Sequence, residues 1–170
     1  STWFTKFRND PAHPLCLAQF TQGKERPLLN IKDFWHPLVR RQPVLNSLKL
    51  GEDTPQNAIV TGLFESGKST VLQCIALDVI CAQSIGICLA RSYSATPYAS
   101  INVYANIKDD IANNRSLFKA EVYHAGKLLE SIEHLPAGHF SITLADSTFT
   151  GTEAGAGSAT SYAVARYLGQ

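Results

Sequence analysis

The chain has 170 residues, 45% of them hydrophobic and 17% charged, with a formal net charge of +1. That length supports a domain with its own core, and that composition excludes a disordered chain. So even a charge balance argues against a strong nucleic-acid binder, which carries a basic face, and no apolar run reaches membrane-spanning length.

The sequence begins at Ser1, contains no methionine and shows no signal peptide, so a fragment of a longer chain is expected. Its cysteines, Cys16, Cys74, Cys81 and Cys88, form no C-x-x-C pair and mostly sit in or beside apolar segments. They read as buried free thiols in a reducing compartment, ahead of metal ligands or disulfides.

In chain order, Trp3, Phe4 and Phe7 line one helical face, Asp10-Pro11-Ala12-His13-Pro14 breaks it, and Leu15 to Phe20 reads as another short helix. His13 reads as a loop residue. Residues 1–27 therefore form an N-terminal helical or linker segment ahead of a domain over 28–170. Leu28 to Val39 reads as a strand followed by a loop directed by Pro37, and Pro43 to Leu50 as a second strand. Together they make a small antiparallel flank. Gly51 to Gln56 is a turn, and Asn57 to Thr61, apolar and partly β-branched, reads as a buried strand. From Thr70 to Ala82 the residues Leu72, Ile75, Ala76 and Val79 recur at helical spacing. Ile85 to Ala90 is a strand candidate broken by Ser94 to Pro97. Ser100 to Ile107 alternates as a strand does, and Lys108 to Arg115 is polar. Ser116 caps a long helix running to Glu133, which Pro136-Ala137-Gly138 ends. Phe140 to Asp146 is a strand ending in an acid, Phe149 to Gly157 a Gly- and Thr-rich loop, and Ser158 to Leu168 a final helix. This alternation predicts an α/β fold, a mainly parallel sheet flanked by helices, with ligands at the carboxyl ends of its strands.

The most informative stretch is Gly62-Leu63-Phe64-Glu65-Ser66-Gly67-Lys68-Ser69-Thr70. Gly, four residues, then Gly-Lys-Ser is the phosphate-loop pattern, here between a predicted strand and a predicted helix. Gly62 and Gly67 let backbone N–H groups crowd an anion, and the helix beginning near Lys68 turns its positive end toward it. Lys68 then reaches the β- and γ-phosphates and the Ser69 hydroxyl binds Mg²⁺. The bland alternative is a glycine turn capping a helix. A phosphate loop also needs an acid at a strand end to hold the metal, and Asp146 is placed to supply it, the bland alternative being an acid that caps the following turn.

Taken together, His36-Pro37-Leu38-Val39, Asn46 to Leu50, Asn57 to Gly62, Gly67 to Thr70, Ala82-Gln83-Ser84, Ser116-Leu117-Phe118-Lys119-Ala120-Glu121 and Asp146 to Gly157 resemble the ATPase domain of the MutS family. The likeness spans about Leu28 to Gln170. It implies a P-loop NTPase fold of ABC-ATPase type over 28–170, cut short at its C-terminus. It implies ATP and Mg²⁺ as ligands, with Lys68 and Asp146 catalytic and Ser69 and Asp146 on the metal. Gly62, Leu63, Phe64, Glu65, Ser66, Gly67, Lys68, Ser69, Thr70, His36 and Ser116 would line the nucleotide. Ser116 matches a serine that acts in trans, which implies a homodimer or a heterodimer of paralogues. DNA would be held through domains outside this chain, in the cytoplasm (on the nucleoid if bacterial), and away from membranes.

The departures are specific. The family's D-E pair is Asp146-Ser147 here, and a serine is no general base at neutral pH. Glu65 places negative charge beside the phosphates. An ATPase driving dimer rearrangement and DNA binding is therefore set against a degenerate module that binds nucleotide without hydrolysis. A third reading, a small-molecule kinase, lacks an arginine-rich lid.

Overall fold

The structure, a computed structural model, describes residues 10–39, 42–105, 107 and 116–168. They divide into two compact units, Ser1–Pro97 and Tyr98–Gln170. The aromatic face expected at Trp3, Phe4 and Phe7 and the polar stretch from Lys108 to Arg115 lie outside the described residues.

The first unit is built around β3 (Leu29–Phe34). Leu29 and Ile31 alternate into the core, as a half-buried strand requires. Strict alternation would next bury Asp33. A register shift between Ile31 and Phe34, with Asp33 in the left-handed region at φ 53, returns Phe34 to the interior instead. Asp33 is held there by Ser47 Oγ, which accepts from its backbone N–H at 3.0 Å, and by Arg91 Nε, which donates to its carboxylate at 2.7 Å. That guanidinium holds the Asp33 carboxyl below the usual carboxylate range. β4 (Asn46–Leu50) pairs antiparallel with β3, Leu29 opposite Leu50, so the antiparallel flank is present.

The helix α1 (Lys68–Ser84) buries Cys74, Ile75, Asp78, Val79 and Ala82. Ahead of β3 lie the short strands β1 (Cys16–Leu17) and β2 (Gln19–Phe20), and after α1 come β5 (Ile87–Cys88) and β6 (Ser92–Ala95). β1 pairs antiparallel with β5, and the order β2-β6-β3-β4 makes the larger sheet.

Three expectations fail in this unit, one being the break expected at Ser94 to Pro97: Ser94 and Ala95 lie in β6, paired with β2 and β3. Leu15 to Phe20 contributes strands rather than a helix, because β5 and β6 offer it edges to pair with. Asn57 to Thr61 is irregular and exposed, with Ile59 86% accessible, rather than a buried strand. Apolar, β-branched composition supplies no partner edge, and β3 is already paired on both sides, by β4 and β6.

The second unit pairs β7 (Tyr98–Tyr104) with β8 (Phe140–Ala145) in parallel, Ile101 opposite Ile142 and Tyr104 opposite Ala145. Between them runs α2 (Leu117–Glu133), headed by Ser116 as expected, and it packs on β7. Its buried residues Ala120, Glu121, Ala125 and Leu128 share one helical face. Tyr104, Ala125 and Phe149 form a core cluster flanked by Ile107, Phe118 and Val164. α3 (Ala154–Leu168) begins inside the segment expected to be a loop. Gly157 suits a close crossing there, since a Cβ on it would meet the Phe149 carbonyl oxygen at 2.5 Å.

The mainly parallel sheet of a P-loop, ABC-ATPase-like fold is therefore corrected. Among the described residues β1–β5, β3–β4 and β3–β6 are antiparallel, and only β2–β6 and β7–β8 are parallel. The sheets are mixed because β1 and β3 take partners far along the chain, Cys16 opposite Cys88 and Leu29 opposite Ala95, and those partners run antiparallel to them.

Candidate phosphate-binding loop and acidic strand end

Gly62 to Gly67 forms a turn that ends directly on α1. The Ser66 N–H donates to the Leu63 carbonyl at 3.3 Å, and the Val71 N–H to the Gly67 carbonyl at 3.0 Å. Gly67 heads the helix at φ 89, in the left-handed region where a side chain is disfavoured, and Glu65 also adopts positive φ at 58. No side chain caps this helix end, and no acid lies in its first turn. Its N–H groups and partial positive charge thus have neither a capping side chain nor a first-turn acid of the helix's own.

Lys68 folds back over the turn. Its Nζ donates to the Gly62 carbonyl at 3.0 Å and to the Leu63 carbonyl at 2.6 Å. The Lys68 ammonium is thus held against the loop by two neutral carbonyl acceptors. Gly62 is closely approached as well: a Cβ there would meet Ser66 Oγ at 2.8 Å. Leu63 and Phe64 are exposed, and Ser69 and Thr70 open the helix. His36 sits on the turn after β3, its Nδ1 accepting from the Leu38 N–H at 3.3 Å, so its hydrogen bonding is local.

Behind the loop, α1 carries an acid that lies outside the phosphate-loop pattern. Asp78 is fully buried on the helix's inner face. Its Oδ1 accepts from the Leu89 N–H at 2.6 Å, while Oδ2 has no hydrogen-bond partner. Burial pushes its carboxyl up to about 7. Burial and the Asp78 charge together push the neighbouring Cys74 thiol to about 11. Cys16, Cys74, Cys81 and Cys88 are free thiols.

Ser116, Asp146 and Ser147 belong to the second unit. Ser116 is the N-cap of α2 at φ −63 and ψ 163; its hydroxyl makes no cap bond and the residue is exposed. Asp146 follows β8, its N–H donating to the Tyr104 carbonyl at 2.8 Å, which seats it beside the carboxyl end of β7. Ser147 turns left-handed at φ 51, and its hydroxyl donates to Asp146 Oδ1 at 3.2 Å. Tyr104, Ala105, Ile107, Glu121, Asp146, Ser147 and Thr150 line a polar cavity of about 220 Å³ at this strand end.

In the sequence Glu121 stands out only as part of the helical pattern and of the Ser116 to Glu121 segment. It is 2% exposed, and its two carboxylate oxygens accept from the Thr150 and Gly151 N–H groups, each at 3.0 Å. The available signal was an acid on the apolar face of an amphipathic helix. Tyr104 donates to the Glu121 carbonyl at 3.1 Å, and burial followed by the Glu121 charge pushes its phenol up to about 12. Among the described residues no helix is long and apolar enough to cross a membrane.

A family model described as MutS domain V matches residues 58–170. Mouse MutS protein homolog 4 is 34% identical over 167 residues, covering 92% of this chain and 16% of that protein. Its human counterpart is 32% identical over 163 residues, covering 92% and 17%. The DNA mismatch repair protein MutS of Flavobacterium psychrophilum is 29% identical over 146 residues, covering 82% and 16%. The chain thus spans 16% to 17% of the length of these relatives.

Proposed function

This chain belongs to the MutS family, and on that premise we propose that it binds ATP with Mg²⁺ through Gly62 to Thr70 and serves a mismatch-repair protein as its nucleotide-responsive part. The observation that carries the reading is the glycine turn on α1, with Lys68 bonded to the Gly62 and Leu63 carbonyls above an uncapped helix end. Those groups supply what a triphosphate needs: a mobile cation, backbone donors and a favourable dipole. Phosphates would draw Lys68 off the loop carbonyls, exchanging neutral acceptors for charged ones.

Ser69 in the first unit carries a hydroxyl and Asp146 in the second a carboxylate, each of the oxygen-ligand chemistry Mg²⁺ prefers, and a bound ion would neutralise charge developing on the phosphates. His36 and Ser116 keep proposed roles at the nucleotide, and the remaining loop residues Leu63, Phe64, Glu65 and Ser66 contribute backbone. Dimer formation and DNA binding through other domains complete the proposal.

Hydrolysis is proposed to be slow. Ser147 stands where a general base is wanted, and its hydroxyl is spent on Asp146. That same bond favours the second reading, a module that binds ATP and does not turn it over. Binding of a fluorescent ATP analogue with Mg²⁺, beside Lys68→Ala, tests the reading. Losing a charged hydrogen-bond donor should weaken binding by roughly ten- to a hundredfold. Equal affinity in parent and variant would sink the proposal.

A further inference from the structure

We propose that Glu121 is a positioning residue that clamps the loop following Asp146 onto the first turns of α2, so that Asp146 and Ser116 are carried as one rigid piece. The clamp stands on the geometry of the second unit alone, while its consequence for Mg²⁺ rests on the nucleotide-binding reading above.

A buried carboxylate needs partners, and among the described residues Glu121 makes no salt bridge. Its partners are two successive backbone N–H groups, Thr150 and Gly151, one on each oxygen at 3.0 Å. Successive amides pointing the same way form a small anion cradle, and Glu121 is its anion. The match requires two acceptors. A glutamine would offer one oxygen and turn an amino group toward the other N–H.

The rest of the loop fits the same purpose. Ser147 and Phe149 both hold positive φ, at 51 and 55, conformations that side chains disfavour. The loop keeps that shape because it is tied at both ends, by the Asp146 N–H on the Tyr104 carbonyl at 2.8 Å and by Glu121. At Gly151 the loop backbone lies on the first turn of α2: a Cβ there would meet the Phe118 nitrogen at 2.5 Å and the Leu117 side chain at 2.8 Å. Phe149 fills the core between Tyr104, at a ring separation of 5.9 Å, and Phe118, at 6.4 Å. Asp146 therefore cannot shift without moving α2, and with it Ser116, or breaking the Glu121 bonds.

The test compares the 170-residue chain with Glu121→Gln by residue-resolved amide hydrogen exchange and by ATP affinity with and without Mg²⁺. Exchange at Thr150 or Gly151 should quicken at least tenfold in Glu121→Gln, with β7 and β8 unchanged. ATP affinity without Mg²⁺ should stay as in the parent, while the gain that Mg²⁺ brings should fall about tenfold. Gly151→Ala, which keeps the carboxylate but lifts the loop off Phe118, should lose the same gain, and it decides the matter if Glu121→Gln does not fold. Unchanged exchange overturns the clamp, and faster exchange throughout the second unit reduces Glu121 to a core residue. Quickened exchange with the Mg²⁺ gain intact, or a parent that binds ATP and gains nothing from Mg²⁺, overturns the positioning role. A parent no better than Lys68→Ala at binding ATP refutes the nucleotide reading instead, and the exchange data still decide the clamp.

Discussion

Asp78→Asn should remove a pH dependence of stability built into α1. Asp78 is fully buried, and burial raises its carboxyl from 3.8 to about 7. Between those values the folded chain holds a proton the unfolded chain has released. The stability this group contributes is complete below 3.8 and is lost as pH rises toward 7. With the two values inserted in the linkage relation, unfolding becomes easier by roughly 2–3 kcal/mol between pH 5 and pH 8. Asparagine keeps the oxygen that accepts from the Leu89 N–H and carries no charge, so it imitates the protonated acid. Urea unfolding of parent and variant at pH 5, 6, 7 and 8 isolates the effect, since other groups titrate equally in both. The two should have similar stability at pH 5, and the variant should be the more stable at pH 8 by roughly 2–3 kcal/mol. Parallel curves, or a variant weaker at every pH, would refute the reasoning and mean that Asp78 is ionised and matched in the folded chain.

Gly51→Ala should destabilise the first unit by about 3 kcal/mol or more, because Gly51 holds φ +86 and a Cβ would lie 2.1 Å from the Pro27 carbonyl oxygen. Gly23→Ala, at φ +70 in open space, should cost only about 1 kcal/mol, and equal losses in denaturant unfolding would refute the steric argument. Ser147→Glu should raise ATP hydrolysis on the order of a hundredfold by placing a base beside Asp146, read as phosphate release; an unchanged rate would place water activation elsewhere.

Elements whose determinants are local were legible in the sequence. β4, β7, β8 and the starts of α1 and α2 follow from apolar spacing, a glycine turn or a serine at the N-cap position, although that serine's hydroxyl makes no cap bond. Elements that depend on a distant partner were not. Asn57 to Thr61 has the composition of a strand and no edge to join, while Leu15 to Phe20 becomes strand because β5 and β6, far along the chain, accept it. The first turn of α3 was hidden because Gly155 and Gly157 read as loop; at Gly157 the missing side chain is what lets the helix cross the Phe149 carbonyl.

The same division runs through the candidate site. Lys68 reaches carbonyls five and six residues back, so the glycine turn was readable from a nine-residue pattern. Glu121 reaches amides 29 and 30 residues ahead, and no local rule links a helix acid to a loop at that distance. Asp78 shows the intermediate case. An acid in the middle of an apolar helical run is visible in the sequence, and its mate, the Leu89 N–H, lies 11 residues on. In each of the last two, the buried carboxylate accepts from backbone N–H groups rather than pairing with a basic side chain, so a search for matching charges passes over it. An acid at a core position of an amphipathic helix is better read as holding down a nearby loop: there it satisfies main-chain donors that have no ladder of their own.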